Sequence, residues 1–104
     1  MQRGEVWWAE LPTPIGKRPV VIISRQRAIQ VRVSIIVAQV TTTIRDIPVE
    51  VPLGQTDGMP KRCVINCDVL TTIPKEALKE RMCFLTQEKL LALHAALRFA
   101  LGLD

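Results

Sequence analysis

The sequence predicts an α+β chain that is mostly β: a small, strongly bent sheet or partly closed barrel, capped by one C-terminal amphipathic helix. Three observations carry this. Five or six short runs rich in β-branched and aromatic residues precede Thr86. Gly and Pro punctuate those runs at short intervals. Only the last stretch changes period, with Leu90, Leu93, Leu97 and Leu101 on one helical face. A chain of 104 residues with this pattern reads as a single domain spanning 1–104, a sheet with a helix laid across it.

The elements follow in order. Gly4–Leu11 is a strand carrying Val6, Trp7 and Trp8, and Pro12–Gly16 is a loop. Arg18–Ser24 is a second strand, and its Val20-Val21-Ile22-Ile23 run is continuous enough to be buried on both faces. Arg32–Thr42 is a third, centred on Ile35-Ile36-Val37. Ile47–Leu53 alternates apolar residues with Pro and Glu, which suits an edge, because proline cannot complete a central ladder. After a turn-rich loop, Arg62–Leu70 is another strand, Pro74–Lys79 can make one helical turn, and Arg81–Leu85 is a last short strand. Thr86 is a good helix N-cap, Glu88 suits the first turn, and Gly102 is placed to end the helix.

Composition narrows the function classes. Hydrophobic residues make up 48% of the chain, enough for a core without disulfides or a structural metal. Three cysteines, an odd count, fit a disulfide framework poorly. The start does not read as a secretory leader, and no apolar run approaches the roughly 18 residues that span a bilayer. The expectation is a reduced cytoplasmic protein with no membrane contact. The net charge is +4, but its distribution says more. From Leu11 to Arg45 there are six basic residues, Lys17, Arg18, Arg25, Arg27, Arg32 and Arg45, and no acid. Such a segment can face phosphates or simply form a solvated rim.

Several chemistries are disfavoured. His94 is the sole histidine, so one chain cannot run a two-histidine ribonuclease mechanism; at the edge of the helix's apolar face it reads as a packed or interface residue. Cys63 and Cys67 lack the second ligand pair of a zinc site and read as core. Glu50, Asp57 and Asp68 are scattered rather than clustered for two-metal chemistry. There is no Gly-rich phosphate loop and no G-x-S-x-G elbow, so neither a metal nor another cofactor is expected. What remains is chemistry that runs on cations, hydroxyls and backbone amides. RNA cleavage is of this kind, because the substrate carries its own 2′-OH nucleophile. The protein must align that oxygen and stabilise the charge that develops on phosphorus.

Two motifs then stand out. One is Arg3-Gly4-Glu5-Val6-Trp7-Trp8-Ala9-Glu10-Leu11 followed by Arg18-Pro19-Val20-Val21-Ile22-Ile23. The other is Val40-Thr41-Thr42-Thr43 with Ile47-Pro48-Val49-Glu50-Val51 behind it. Together with Asp68-Val69-Leu70-Thr71-Thr72-Ile73 and the closing helix, they resemble the MazF/PemK family of toxins from bacterial toxin–antitoxin systems. The resemblance implies an SH3-like partly closed barrel, a homodimer, and sequence-specific, metal-independent cleavage of single-stranded RNA to 2′,3′-cyclic phosphate and 5′-OH ends. It also implies a cognate antitoxin whose disordered C-terminal tail folds over the RNA site.

Matched to the family's motifs, Arg18 is the catalytic arginine and Thr41 the catalytic threonine. A guanidinium stays protonated in nearly every site, so a bidentate clamp on the scissile phosphate is Arg18's physically easier role. Thr41 would donate to a phosphoryl oxygen. Lys17, Thr42, Thr43 and Arg45 are candidate RNA contacts, and Asp68 reads as structural. Trp7 and Trp8 point to opposite sides of their strand; one should be core, and the other can stack on a base or meet the antitoxin. The loop from Pro12 to Lys17 is shorter than in many members. Two other readings stay open. One is a gyrase-poisoning toxin of the same fold, similar to CcdB, although the Leu101-Gly102-Leu103-Asp104 ending lacks that family's Trp-Gly-Ile. The other is a non-catalytic RNA- or partner-binding module.

Overall fold

The strands pair into one antiparallel six-stranded sheet in the computed structural model, which describes residues 1–103. In chain order the elements are β1 (Glu5–Glu10), β2 (Lys17–Ile22), α1 (Gln26–Val31), β3 (Ser34–Thr41), β4 (Glu50–Leu53), β5 (Cys63–Pro74), β6 (Leu78–Phe84) and α2 (Gln87–Leu101). Short 3₁₀ turns lie at Gln55–Asp57 and Lys75–Ala77. The strand order is β4-β5-β3-β2-β1-β6, so the proline-bearing β4 is indeed an edge. The sheet curls into a half-barrel that α2 caps, as the sequence predicts.

Both faces of the sheet are covered. Val6, Val21, Ala38, Val40, Val51 and Ile65 point to one side, where Leu93 and Ala96 of α2 pack on them. Val20, Ile22, Ile35 and Val37 point the other way and are covered by Ile29 of α1, Ile73 and Leu78. This is why the Val20–Ile23 run is continuously apolar. Cys63 and Cys67 lie in the cluster under α2, and burial pushes the Cys67 thiol up to about 11, so it stays protonated as core residues do.

Helix α2 is built as its sequence suggests. The Thr86 hydroxyl accepts from the Lys89 amide at 3.2 Å, and Gly102 ends the helix at φ 67°. Leu101 departs from the expected apolar face: it is exposed at the helix's last turn, whereas Leu93 is fully buried. The R-G-E-V start has a physical reason at Gly4. Its φ is +91°, and an added Cβ would come within 2.8 Å of the Leu90 side chain.

Three boundaries differ from the sequence reading. Helix α1 is not foreseen; it has six residues and no side-chain N-cap, and it is held by tertiary contacts such as Lys75 Nζ donating to the Ile29 carbonyl at 2.7 Å. Strand β5 runs on to Pro74, four residues past Leu70, because β3 continues alongside it as far as Ser34. Strand β6 begins at Leu78, immediately after the 3₁₀ turn.

Glu5 is a buried carboxylate at the start of β1. Its Oε1 accepts from the Gln2 amide and the Trp7 indole, each at 2.9 Å, and its Oε2 from Arg81 at 3.3 Å. Burial alone would raise its pKa, but these donors outweigh burial and hold it below the ordinary value. A lowered folded-state pKa means stability that is present above the unfolded pKa, near 4.3, and lost as pH falls through the folded value. Glu5→Gln is therefore expected to cost about 1–2 kcal/mol at pH 7, with the difference from wild type closing below about pH 4. Urea melts at pH 7 and pH 3.5 check this; an equal deficit at both would contradict it. Arg81 is half exposed, so its ion pair supplies little of the effect.

Candidate active site

The face of the sheet opposite α2 changes character along its length. On β3, Ile35 and Val37 are core, but the next residues on that face are Gln39 and Thr41. On β2, Ile22 and Val20 are core and the next residue is Arg18. Val20 pairs with Gln39, so the alternation carries Arg18 and Thr41 to the same polar end of the sheet. There they line one open cleft with Thr43, Arg45, Gln39, Asn66 and Val69.

Strand β5 supplies the far wall through a bulge. Gln39 pairs with Asn66, but Ala38 pairs with Leu70, so three extra residues, Cys67 to Val69, are accommodated on β5. The Asn66 side-chain oxygen accepts from the Asp68 amide at 2.9 Å and pins that bulge. The bulge brings Val69 to the rim, an instance of sheet irregularity re-aiming a side chain beside a site. Asp68 thus takes part in the fold of the wall, in keeping with a structural role.

The loop after β3 is held by a single acid. Glu50 accepts from the Arg45 amide at 3.1 Å and the Asp46 amide at 2.9 Å. Asp46 takes φ 57°, the left-handed region, where the chain reverses toward β4. The Thr41 hydroxyl oxygen accepts from the Thr43 amide at 3.1 Å. These bonds fix Thr41, Thr43 and Arg45 around the cleft. Neither guanidinium, Arg18 nor Arg45, has a hydrogen-bond or ion-pair partner among the described residues. The cleft lining contains cations, hydroxyls and carboxamides, with no carboxylate and no imidazole.

The sequence-predicted site residues divide into two sets. Arg18, Thr41, Thr43 and Arg45 meet in the cleft. Thr42 and Lys17 do not line it. Thr42 borders an adjacent apolar pocket formed by Trp8, Pro19, Met59, Pro60 and Lys61, with Thr41 on the ridge between the two. Lys17 lies over the Trp8 ring, 5.7 Å from its centroid. The basic span also splits, since Arg25, Arg27 and Arg32 surround α1 at the opposite end of β2 from Arg18.

The expectation that one tryptophan is core needs correction, because both are only half-buried. Trp7 packs against the cluster on the face opposite α2, with its indole N–H donating to the buried Glu5 carboxylate. Trp8 sits at the mouth of the barrel interior, beside Thr41. His94 is far from this chemistry: its Nε2 accepts from Arg3, tying the N-terminus to α2. Burial, Arg3 and Arg98 lower its pKa and favour the neutral ring that this bond requires. Gln39 and Asn66 are cleft residues that sequence reasoning missed. Their signal is a polar side chain interrupting an otherwise apolar strand.

The fold has counterparts. Residues 2–101 match the sequence family described as the PemK-like, MazF-like toxin of type II toxin–antitoxin systems. The chain belongs to this family. Among its relatives, the probable endoribonuclease MazF5 of Mycobacterium tuberculosis is 39% identical over 99 residues, covering 94% of this chain and 90% of that one. The endoribonuclease MazF of Staphylococcus epidermidis is 33% identical, covering 100% of this chain and 93% of its own length. Among solved structures, the M. tuberculosis toxin MazF-mt6 superposes with a TM-score of 0.88 at 31% identity, covering 96% of this chain and 98% of that one. A mycobacterial endoribonuclease solved with its cognate antitoxin gives 0.90 at 29% identity, covering 100% and 97%. As a PemK/MazF-like toxin, this chain keeps the family's half-barrel with its capping helix, and the cleft lies at the polar end of the sheet face opposite that helix.

Proposed function

We propose that this chain is the toxin of a type II toxin–antitoxin pair, a single domain that cuts single-stranded RNA in the cytoplasm without a metal ion. The observation that carries the reading is the cleft itself: two unpartnered guanidiniums and two hydroxyls converge on one opening. The Arg18 guanidinium grips the scissile phosphate through its fork and stabilises the charge that builds on the equatorial oxygens. Thr41, its oxygen anchored by the Thr43 amide, donates a hydrogen bond to a phosphoryl oxygen. Arg45 and Thr43 hold the neighbouring backbone. The 2′-OH oxygen gives up its proton to water and attacks phosphorus in line, the bond to the 5′ oxygen breaks, that oxygen takes a proton from water, and the products are a 2′,3′-cyclic phosphate and a 5′-OH. Lys17, Thr42 and Trp8 form a shoulder on the other side of Thr41, where the next nucleotide can stack on the indole.

The partners follow from the same reading. An antitoxin tail, acidic enough to answer Arg18 and Arg45, covers the cleft in the resting pair. The active species is a homodimer. The apolar face of α2 around Leu93 is spent inside the fold, since Leu93 is fully buried, and is not free for dimerisation. The exposed Leu91, Phe99, Leu101 and Leu103 provide the apolar surface instead. Light scattering at micromolar concentration is expected to give twice the chain mass; a monomer would count against the dimer.

The deciding assay uses antitoxin-free protein and single-stranded RNA in EDTA. Discrete fragments with 5′-OH ends are expected. Inhibition of DNA supercoiling with RNA left intact would replace this reading with a gyrase poison, and binding without cutting would replace it with a binding module.

A further inference from the structure

We infer that Gln39 and Asn66 form the floor of the cleft that reads a nucleobase beside the scissile phosphate, an assignment that rests on the RNA-cutting reading above. Four polar side chains are buried in the described chain: Glu5, Ser24, Gln39 and Asn66. Two are consumed by the fold. Glu5 holds Gln2, Trp7 and Arg81, and the Ser24 hydroxyl accepts from the Ile36 amide at 2.7 Å. The other two are directly opposed across β3 and β5, 8% and 7% exposed, and both line the cleft.

Neither of this pair is fully satisfied by protein. The Gln39 carboxamide makes no hydrogen bond with any described residue, yet no buried side-chain nitrogen or oxygen is left sealed without a partner. Its polar atoms therefore open into the cleft. Asn66 commits its oxygen to the Asp68 amide, which fixes the carboxamide plane and leaves the Nδ2 donors for the cleft. The arrangement is layered: the cations Arg18 and Arg45 stand at the rim, and the neutral amides lie at the bottom.

The two layers suit different parts of a nucleotide. A phosphate offers only acceptors and is matched by guanidiniums. A base edge offers donors and acceptors side by side, and a carboxamide is the side chain that can pair with both. Asn66, its oxygen already engaged by the Asp68 amide, presents its two Nδ2 donors and so favours a base acceptor, while Gln39 can accept or donate beside it. A purely structural role explains Asn66's oxygen but gives Gln39 no task, and an apolar residue would fit β3 between Val37 and Val40 without leaving an unpartnered amide.

The test cuts a single-stranded RNA library, randomised around one cleavable site, and sequences the fragment ends. Wild-type protein is compared with Gln39→Met, which keeps the length and removes the amide, and with Asn66→Asp. The latter keeps an acceptor for the Asp68 amide but turns the cleft-facing donor into an acceptor. Wild type is expected to show a strong preference at one position flanking the cut. Gln39→Met should flatten that preference about tenfold, and Asn66→Asp should move it to a different base. Thermal melts accompany both, and if Asn66→Asp melts early, Gln39→Met alone decides. Cutting by the variants with unchanged base preference at every position, at full or uniformly reduced rate, overturns this assignment and leaves the endoribonuclease reading standing. A library left intact by wild type overturns both.

Discussion

Arg18→Ala is expected to lower single-turnover RNA cleavage by about a thousandfold or more while leaving the melting temperature nearly unchanged. The magnitude follows from what a positioned arginine contributes when it stabilises charge on a transferring phosphoryl group, about 10³–10⁵ in rate. The dissociation between activity and stability follows from the structure. Arg18 stands at the last polar step of β2, half-buried, with no ion pair or hydrogen bond to a described residue. Its removal breaks nothing in the fold. Arg18→Lys retains the charge but loses the fork, so it should recover only part of the rate. Arg45→Ala is expected to behave differently: Arg45 is exposed, and its loss should weaken RNA binding and flatten the salt dependence more than it slows the bound complex. Full cleavage by Arg18→Ala, measured on end-labelled RNA, would remove Arg18 from the catalytic centre.

The fold was largely legible because this sheet is covered on both faces. Runs such as Val20–Ile23 and Ile35–Val37 then announce strands without needing clean alternation. Capping gave α2 its start at Thr86 and its end at Gly102, since those signals are local hydrogen bonds and backbone angles. Helix α1 was not legible, because six residues carry less than two turns of periodicity and tertiary contacts supply what propensity lacks. The extension of β5 was hidden for a related reason. Thr71, Thr72 and Ile73 are strand formers, but whether they pair depends on β3 running alongside, a long-range fact.

The site shows the same division. The basic span from Leu11 to Arg45 suggested a phosphate surface, but charge counting could not tell Arg18 from Arg27; strand geometry sends them to opposite ends of β2. Arg18 and Thr41 were picked out by resemblance, and register then brings them to one opening. Gln39 and Asn66 were visible as polar interruptions of apolar runs. That they oppose one another was not, because their pairing is set at a bulge whose extra residues no local pattern counts.

Thr41 separates the two things a threonine can do at this position. Its oxygen closes a short turn with the Thr43 amide, and its hydroxyl is free to donate into the cleft that Thr41 lines. Thr41→Val keeps the β-branched shape and removes the hydroxyl, so both functions go together. The turn loss should be small, within about 0.5 kcal/mol, because the Thr43 amide is exposed and water can replace the acceptor. The loss of a donor aimed at developing charge should be large, about 10²–10³ in kcat. Thr41→Ser restores the hydroxyl but not the branched shape, and is expected to recover most of the rate with little change in KM. If Val and Ser slow cleavage equally, the hydroxyl is not the working group and β-branching at the end of β3 is what matters. If Val retains the wild-type rate, the charge on phosphorus is handled by the arginines alone. A rate that falls only with Val assigns the transition-state hydrogen bond to Thr41.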